Sequence, residues 1–346
     1  MRIKSVSVLR GGEILAEPVL TEQKDILIPK GTELKSDYVP LIQSLGVDSL
    51  MIEDPYENYE MPHPILDRNR LEYYVERMRK LLEGHIYHGK GSLRAIDPLA
   101  HEMVDEINDT PEEIVVDMIE RSTNLYEHTV MVTLLSILVS KKQKISKDNQ
   151  YEIAIGCLLH DLGIRYITVP FENCDWNDFA PNEVFEYRKH TILAYTALEE
   201  ENWVPAIAKK MILSHHEKMD GSGFPLKQRN HEIECKIIQV CDAFDCFISG
   251  MECKRITIQE ALSKLSSEAG SIYEKKVVEE LVSMIARYPV GTTVKTSQEE
   301  HGVVISQTND PENPVIMILD SNMNFCNEDR KYNLEIEKNI SILQVV

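Results

Sequence analysis

From residue 111 to about 288 the chain runs through one apolar helical stretch after another, and four of these stretches carry histidine on the inward stripe. No other feature constrains the fold as strongly, because each imidazole brings two ring nitrogens that must find partners. The helix expected from near Pro111 lines up Ile114, Met118, Leu125, Val132 and Leu135, and His128 falls on the same stripe. "NQYEIAIGCLLHD" puts His160 three residues after Cys157, with Asp161 beside it at the helix end. A helix opened by Pro181, a favoured first position for proline, carries His190 between Tyr187 and Ala194. "WVPAIAKKMILSHH" aligns Val204, Ile207, Ala208, Met211, Ile212 and His215, and "ECKIIQVCDAFDCFI" brings Asp242 and Asp245 to its core side.

Taken singly, each histidine reads as a satisfied core or rim residue, and the His215-His216 pair as surface. Taken together, they would leave many ring nitrogens and a carboxylate unpaired in low dielectric, where even one unpaired charge is costly. Divalent cations satisfy all of these groups at once, since imidazole and carboxylate are fitting ligands. Helix bundles build paired-metal sites from facing helices in this way.

The 346 residues suffice for two or three domains. A formal charge of −20 argues against a DNA-binding face. The longest apolar run, "VMVTLLSILV", is too short for membrane insertion, and the opening residues lack a secretory run. Seven cysteines, an odd number with no CxxC pair, argue against a disulfide framework, so a cytoplasmic location is expected. Cys157, Cys241 and Cys246 are expected as buried thiols.

The expected fold is mainly α, a helical bundle with small β-rich modules at both ends. Residues 1–60 form the first module, with strands in "SVSVL", "EILAEPVL" and "DILIPKGTEL" and a short helix capped by Ser36. The acidic, proline-bearing segment 53–64 reads as a linker. Residues 61–110 form a helical connector, through which the chain is expected to link or dimerise. The metal-binding helical domain spans 111–289, and 290–346 form the second β-rich module.

"HDLG" at 160–163, "HHEKMDGSGFP" at 215–225 and "IIQVCDAFD" at 237–245 resemble the HD-GYP domain proteins of the HD phosphohydrolase superfamily. The resemblance spans about residues 111–289 and implies an HD-type bundle holding two divalent cations, iron or manganese. One cation takes His128, His160, Asp161 and Asp242. The other takes Asp161 as a bridge, with His190, His215 and His216. Asn124 stands where some members carry a glutamate for a third metal. The implied activity is hydrolysis of cyclic di-GMP to pGpG, and in some members GMP, by a water bridging the two metals, with Asp161 as the catalytic bridge. The alternatives are a receptor for that dinucleotide, signalling to a partner protein through the β modules, and a phosphohydrolase of another nucleotide.

The chain departs from the family pattern in the residues that grip substrate. Ile164 replaces a lysine, with Arg165 next door, and Phe224 replaces the GYP tyrosine. "MECK" at 251–254 replaces an Arg-Pro-Tyr-Arg run, and "TVPFENCDWNDFAPNEV" lacks a Lys-Pro-Gly loop. The expected substrate contacts are therefore Lys254, Arg165, Gly221 and Phe224. Glu217 and Asp220 are expected either to support the ligands from behind or to serve as a helix-end carboxylate and a turn cap. Asp245 is expected to support its helix, and Gly221 and Gly223 to adopt positive φ. Ile164→Lys with Met251→Arg is expected to strengthen ligand binding.

Overall fold

Asn124, not Pro111, opens the first long helix of the histidine series in the computed structural model. Its side chain accepts from Tyr126 N (3.0 Å) and Glu127 N (3.1 Å), an N-cap that ends the preceding extended segment. The structure describes residues 2–6, 9, 11–20, 26–45, 47, 49–53, 60, 62–88, 90–111, 113–119, 121, 123–320 and 330–346. The chain divides into two compact units, Met1–Pro64 with Val115–Ser122 and Ser283–Val346, and Ile65–Ile114 with Thr123–Val282.

The first unit holds both β-rich pieces, which sequence reading had set apart at opposite ends. Strands β1 (Arg2–Ser5) and β4 (Ser49–Ile52) pair antiparallel, as do β2 (Val19–Leu20) and β3 (Ile26–Ile28). Helix α1 (Tyr38–Ser44) has Asp37, not Ser36, at its N-cap, and the Asp37 side chain makes no capping hydrogen bond among the described residues. Val6, Leu15, Val19, Leu34, Ile42 and Ile52 form the core here. Strands β5 (Thr293–Thr296), β6 (His301–Ser306), β7 (Val315–Ile318), β8 (Lys331–Asn333) and β9 (Ile342–Val345) form an antiparallel sheet ordered β8-β7-β6-β5-β9. Buried Asp117 ties the pieces together, accepting from His63 N (2.9 Å), Val290 N (2.9 Å) and Gln307 Nε2 (2.8 Å). Of the expected linker, residues 54–59 and 61 lie outside the described residues, as do parts of the expected strand at 5–9.

The second unit is helical: α2 (Arg68–His88), α3 (Ile96–Asn108), α4 (Leu125–Lys142), α5 (Lys147–Leu159), α6 (Pro181–Arg188), α7 (His190–Leu198), α8 (Ala206–Ser214), α9 (Ile233–Ser249), α10 (Ile258–Glu268) and α11 (Lys275–Val282). Helix α4 is buried on all sides from His128 to Ser140, as expected of a helix that is apolar all round. Neighbours α2, α3, α5, α9 and α11 pack around it. The expected connector helix, α2, belongs to this unit and buries Tyr74, Val75, Met78 and Leu82. The helix expected to run from Pro181 through His190 breaks at Lys189. There Lys189 N bonds Glu186 O (3.2 Å), a tightened last turn, and His190 opens α7. Among the described residues no helix is long and apolar enough to cross a membrane.

Candidate metal centre

Three of the clustered imidazoles are oriented by backbone. His160 Nδ1 lies 2.6 Å from Cys157 O, His190 Nδ1 2.8 Å from Tyr187 O, and His215 Nδ1 2.9 Å from Ile212 O. A carbonyl only accepts, so each Nδ1 carries a proton, and each ring, when neutral, presents a lone pair at Nε2. In all three the acceptor is the residue three positions back, which is why the histidines stand at or next to helix ends. His128 uses a carboxylate instead, its Nδ1 2.7 Å from Asp245 Oδ2. Asp245 thus orients a ring, the role of an outer carboxylate behind a metal-binding histidine, and does more than support its helix.

The free nitrogens converge on Asp161, which is 1% exposed. Its Oδ2 lies 3.5 Å from His128 Nε2 and 3.3 Å from His160 Nε2. Its Oδ1 lies 3.7 Å from His190 Nε2 and 3.6 Å from His215 Nε2. Among the described residues neither oxygen has a hydrogen-bond partner. Asp242 Oδ1 completes the first half, 3.2 Å from His128 Nε2 and 3.5 Å from His160 Nε2. On the other half His190 Nε2 and His215 Nε2 lie 3.1 Å apart, and His216 is adjacent, with Nδ1 3.7 Å from Asp242 Oδ2.

These residues fit a pair of cations. Ligand atoms about 2.1 Å from one ion stand roughly 3.0 to 3.4 Å apart, for octahedral or tetrahedral geometry. The observed spacings are close to that, and two nitrogens facing each other with lone pairs at 3.1 Å repel unless a positive charge sits between them. Burial acts to raise the Asp161 pKa, but His160, His128 and His190 outweigh it and hold the carboxylate well below its usual range. Burial acts to lower the His128 pKa, yet Asp242 and Asp245 lift it to about 9. His215 goes the other way, pushed well down by burial and by His216.

Two glycines set the geometry. A Cβ on Gly163 would stand 1.8 Å from His190 O, so only glycine lets the HDLG turn lie on the start of α7. A Cβ on Gly223 would stand 2.5 Å from Glu217 Cα and 2.5 Å from His216 O. Gly221 has φ +81°, as expected, whereas Gly223 does not take positive φ and is required for this close backbone approach. Asp220 is a turn residue, its Oδ1 accepting from Ser222 N (2.9 Å) and Oγ (2.7 Å). Glu217 is buried and closes the same loop through Leu226 N (2.6 Å).

A cavity of about 270 Å³ opens onto His215, His216 and Asp242. Phe224 lines it, its ring stacked on His216 with centroids 4.6 Å apart, and the Arg188 guanidinium lies over the Phe224 ring, 5.2 Å from its centroid. Arg165, Lys254 and Gly221 do not line it. Lys254 is exposed and pairs with Asp175 at 3.6 Å, while Arg165 lies near Tyr126. The positive charge of the cavity comes from Arg188, Lys218 and Lys264. Arg188, two residues before His190, and Lys218, inside the "HHEKMDG" run, were within reach of sequence reasoning; Lys264 on α10 carried no local signal. Ile164 and Met251, which occupy two expected cation positions, are both buried in one apolar cluster with Cys246. Of the two, Met251 also lines the cavity, whereas Ile164 does not. The sequence also gave no signal for Glu252, whose Oε1 lies 3.1 Å from His216 Nε2.

Residues 109–277 match the family model described as an HD domain. The chain is 29% identical over 204 residues to a cyclic di-GMP phosphodiesterase of Thermotoga maritima, covering 56% of this chain and 55% of that protein. It is 27% identical over 224 residues to a cyclic di-GMP phosphodiesterase of Pseudomonas aeruginosa, covering 62% and 54%. The chain thus spans about half the length of the curated relatives it matches. Its fold is similar to that of Bd1817, an HDG"Y"P protein from Bdellovibrio bacteriovorus, with TM-score 0.50 and 16% identity over 81% of this chain and 97% of that one.

Proposed function

We propose that the chain is a metal-dependent phosphodiesterase that opens cyclic di-GMP to the linear dinucleotide pGpG. The reading is carried by Asp161, whose two buried, unbonded oxygens each face a pair of imidazole nitrogens, one pair per half of the centre. His128, His160, Asp161 and Asp242 would hold one cation, and Asp161, His190, His215 and His216 the other. Two such ions supply an activated water and stabilise both the attacking and the leaving oxygen of a phosphodiester. The chain's own part is to hold the ligand atoms in place, through the carbonyls behind His160, His190 and His215 and through Asp245 behind His128. Arg188, Lys218 and Lys264 bring positive charge to the phosphates, and Phe224, Trp176 and Tyr273 offer ring faces to the bases. The names of the Thermotoga and Pseudomonas relatives support the choice of dinucleotide.

Binding without turnover is the second reading, favoured by Ile164 and Met251, apolar where the family resemblance implies phosphate-contacting cations. Incubation of the purified chain with Mn²⁺ or Fe²⁺ and cyclic di-GMP separates the two. Accumulation of pGpG supports the enzyme, and tight binding with no product supports the receptor. Turnover of a different nucleotide in a substrate panel would replace the assigned substrate.

A further inference from the structure

Glu252 lies just past the C-terminus of α9 with its backbone in the left-handed region, φ +63°, which side chains with a Cβ rarely adopt. A short ladder fixes it there: Glu252 N donates to Phe171 O (2.9 Å) and Asn173 N donates to Gly250 O (2.6 Å). Such conformations persist only where the surroundings over-determine them, and they cluster at functional sites. Here the backbone aims the carboxylate inward. Its Oε1 lies 3.1 Å from His216 Nε2 and accepts from the Tyr187 hydroxyl. A Glu252 oxygen also falls within 4.8 Å of ligand atoms of Asp161 and His190.

We infer that Glu252 is a carboxylate ligand of the second cation, seated at a coordination position next to His216 Nε2. The assignment rests on the two-cation reading above. The 3.1 Å between Glu252 Oε1 and His216 Nε2 equals that between His190 Nε2 and His215 Nε2, and both match neighbouring corners of an octahedral ion. Tyr187, buried beside it, fixes the carboxylate by donating a hydrogen bond, as outer groups do for metal-binding carboxylates. A third carboxylate converts the second half from imidazoles plus a bridge into a mixed nitrogen and oxygen set, one that suits manganese or iron. Glu252 also lines the cavity, so an incoming phosphate oxygen approaches the ion on the side the carboxylate occupies.

The test strips the full chain with chelator, titrates it with Mn²⁺, and reads stoichiometry by elemental analysis, stepwise affinity by calorimetry and the ion's environment by electron paramagnetic resonance. Wild type is expected to hold two ions. E252Q keeps the shape, and E252G suits the left-handed backbone. Both are expected to hold one ion as wild type does and to bind the other at least tenfold more weakly, with a changed spectrum. Two ions within twofold of wild-type affinity in both variants overturn the assignment. Wild-type behaviour in E252Q alone overturns it as well, because Glu252 then acts only through its hydrogen bond with His216. A wild type that binds no Mn²⁺, like the H160A control, would instead remove the two-cation reading itself.

Discussion

Gly163 and the carbonyl of His190 are in direct contact, with no room for a methyl group between them. The contact seats the HDLG turn on the first residue of α7 and so brings Asp161 Oδ1 within 3.7 Å of His190 Nε2. Gly163→Ala is expected to push α7 away, destabilise the fold by about 1–3 kcal/mol and remove the cation bound through His190. Thermal melts and metal content check this, and a variant with both unchanged would show that the turn can yield.

Asp161→Asn keeps the size of the bridge and removes its charge. The variant is expected to purify without either ion, while wild type retains both until treated with chelator. An ion held at 100 times its Kd stabilises the fold by about 2.7 kcal/mol, so chelator should lower the wild-type Tm and leave the variant's unchanged. Equal metal content in the two proteins would remove Asp161 from the centre.

Asp245→Asn tests the carboxylate behind His128. All proposed ligands remain, so the expected result is an intact site whose first-half ion binds about 10- to 100-fold more weakly. Calorimetric titration with Mn²⁺ measures it, and an unchanged isotherm would reduce Asp245 to a packing role.

Ile164→Lys is expected not to restore a phosphate contact, because the position is 4% exposed and packs in the apolar cluster of Cys246 and Met251. Burying that ammonium is expected to cost about 3 kcal/mol or more in urea unfolding. A stable Ile164→Lys protein with tighter dinucleotide binding would show that position 164 reaches the cavity.

Asp117 gives the β-rich unit its own pH dependence. Burial raises its pKa, and the donors from His63, Val290 and Gln307 only partly offset that. The folded chain then holds the proton more tightly than the unfolded chain does. The resulting stability is present below the ordinary carboxylate range and is lost as pH rises through the raised folded value. The difference in Tm between wild type and Asp117→Asn should therefore shrink as pH increases from 4. A difference that grows would mean the three donors outweigh burial.

Much of the centre was legible because helical periodicity and short motifs are local. His128, His160, Asp161, His215 and Asp242 stood on inward stripes that the structure also buries. The start of α4 was not legible, since 111–124 continues the apolar pattern while Val116 instead pairs with Ile285 and Asn124 caps the helix. Arg165 and Lys254 are near the motifs in sequence, but Arg165 stands near Tyr126 and Lys254 pairs with Asp175, neither of them in the cavity lining.

What the chain's order of residues determined alone is which helices carry imidazoles and carboxylates, and that these groups point inward. Only tertiary structure decided that Glu252 joins them, that Arg188, Lys218 and Lys264 supply the cavity's positive charge, and that Ile164 meets Met251. Those relationships join residues far apart along the chain. They depend on which backbone reaches which cavity wall, and no local pattern encodes that distance.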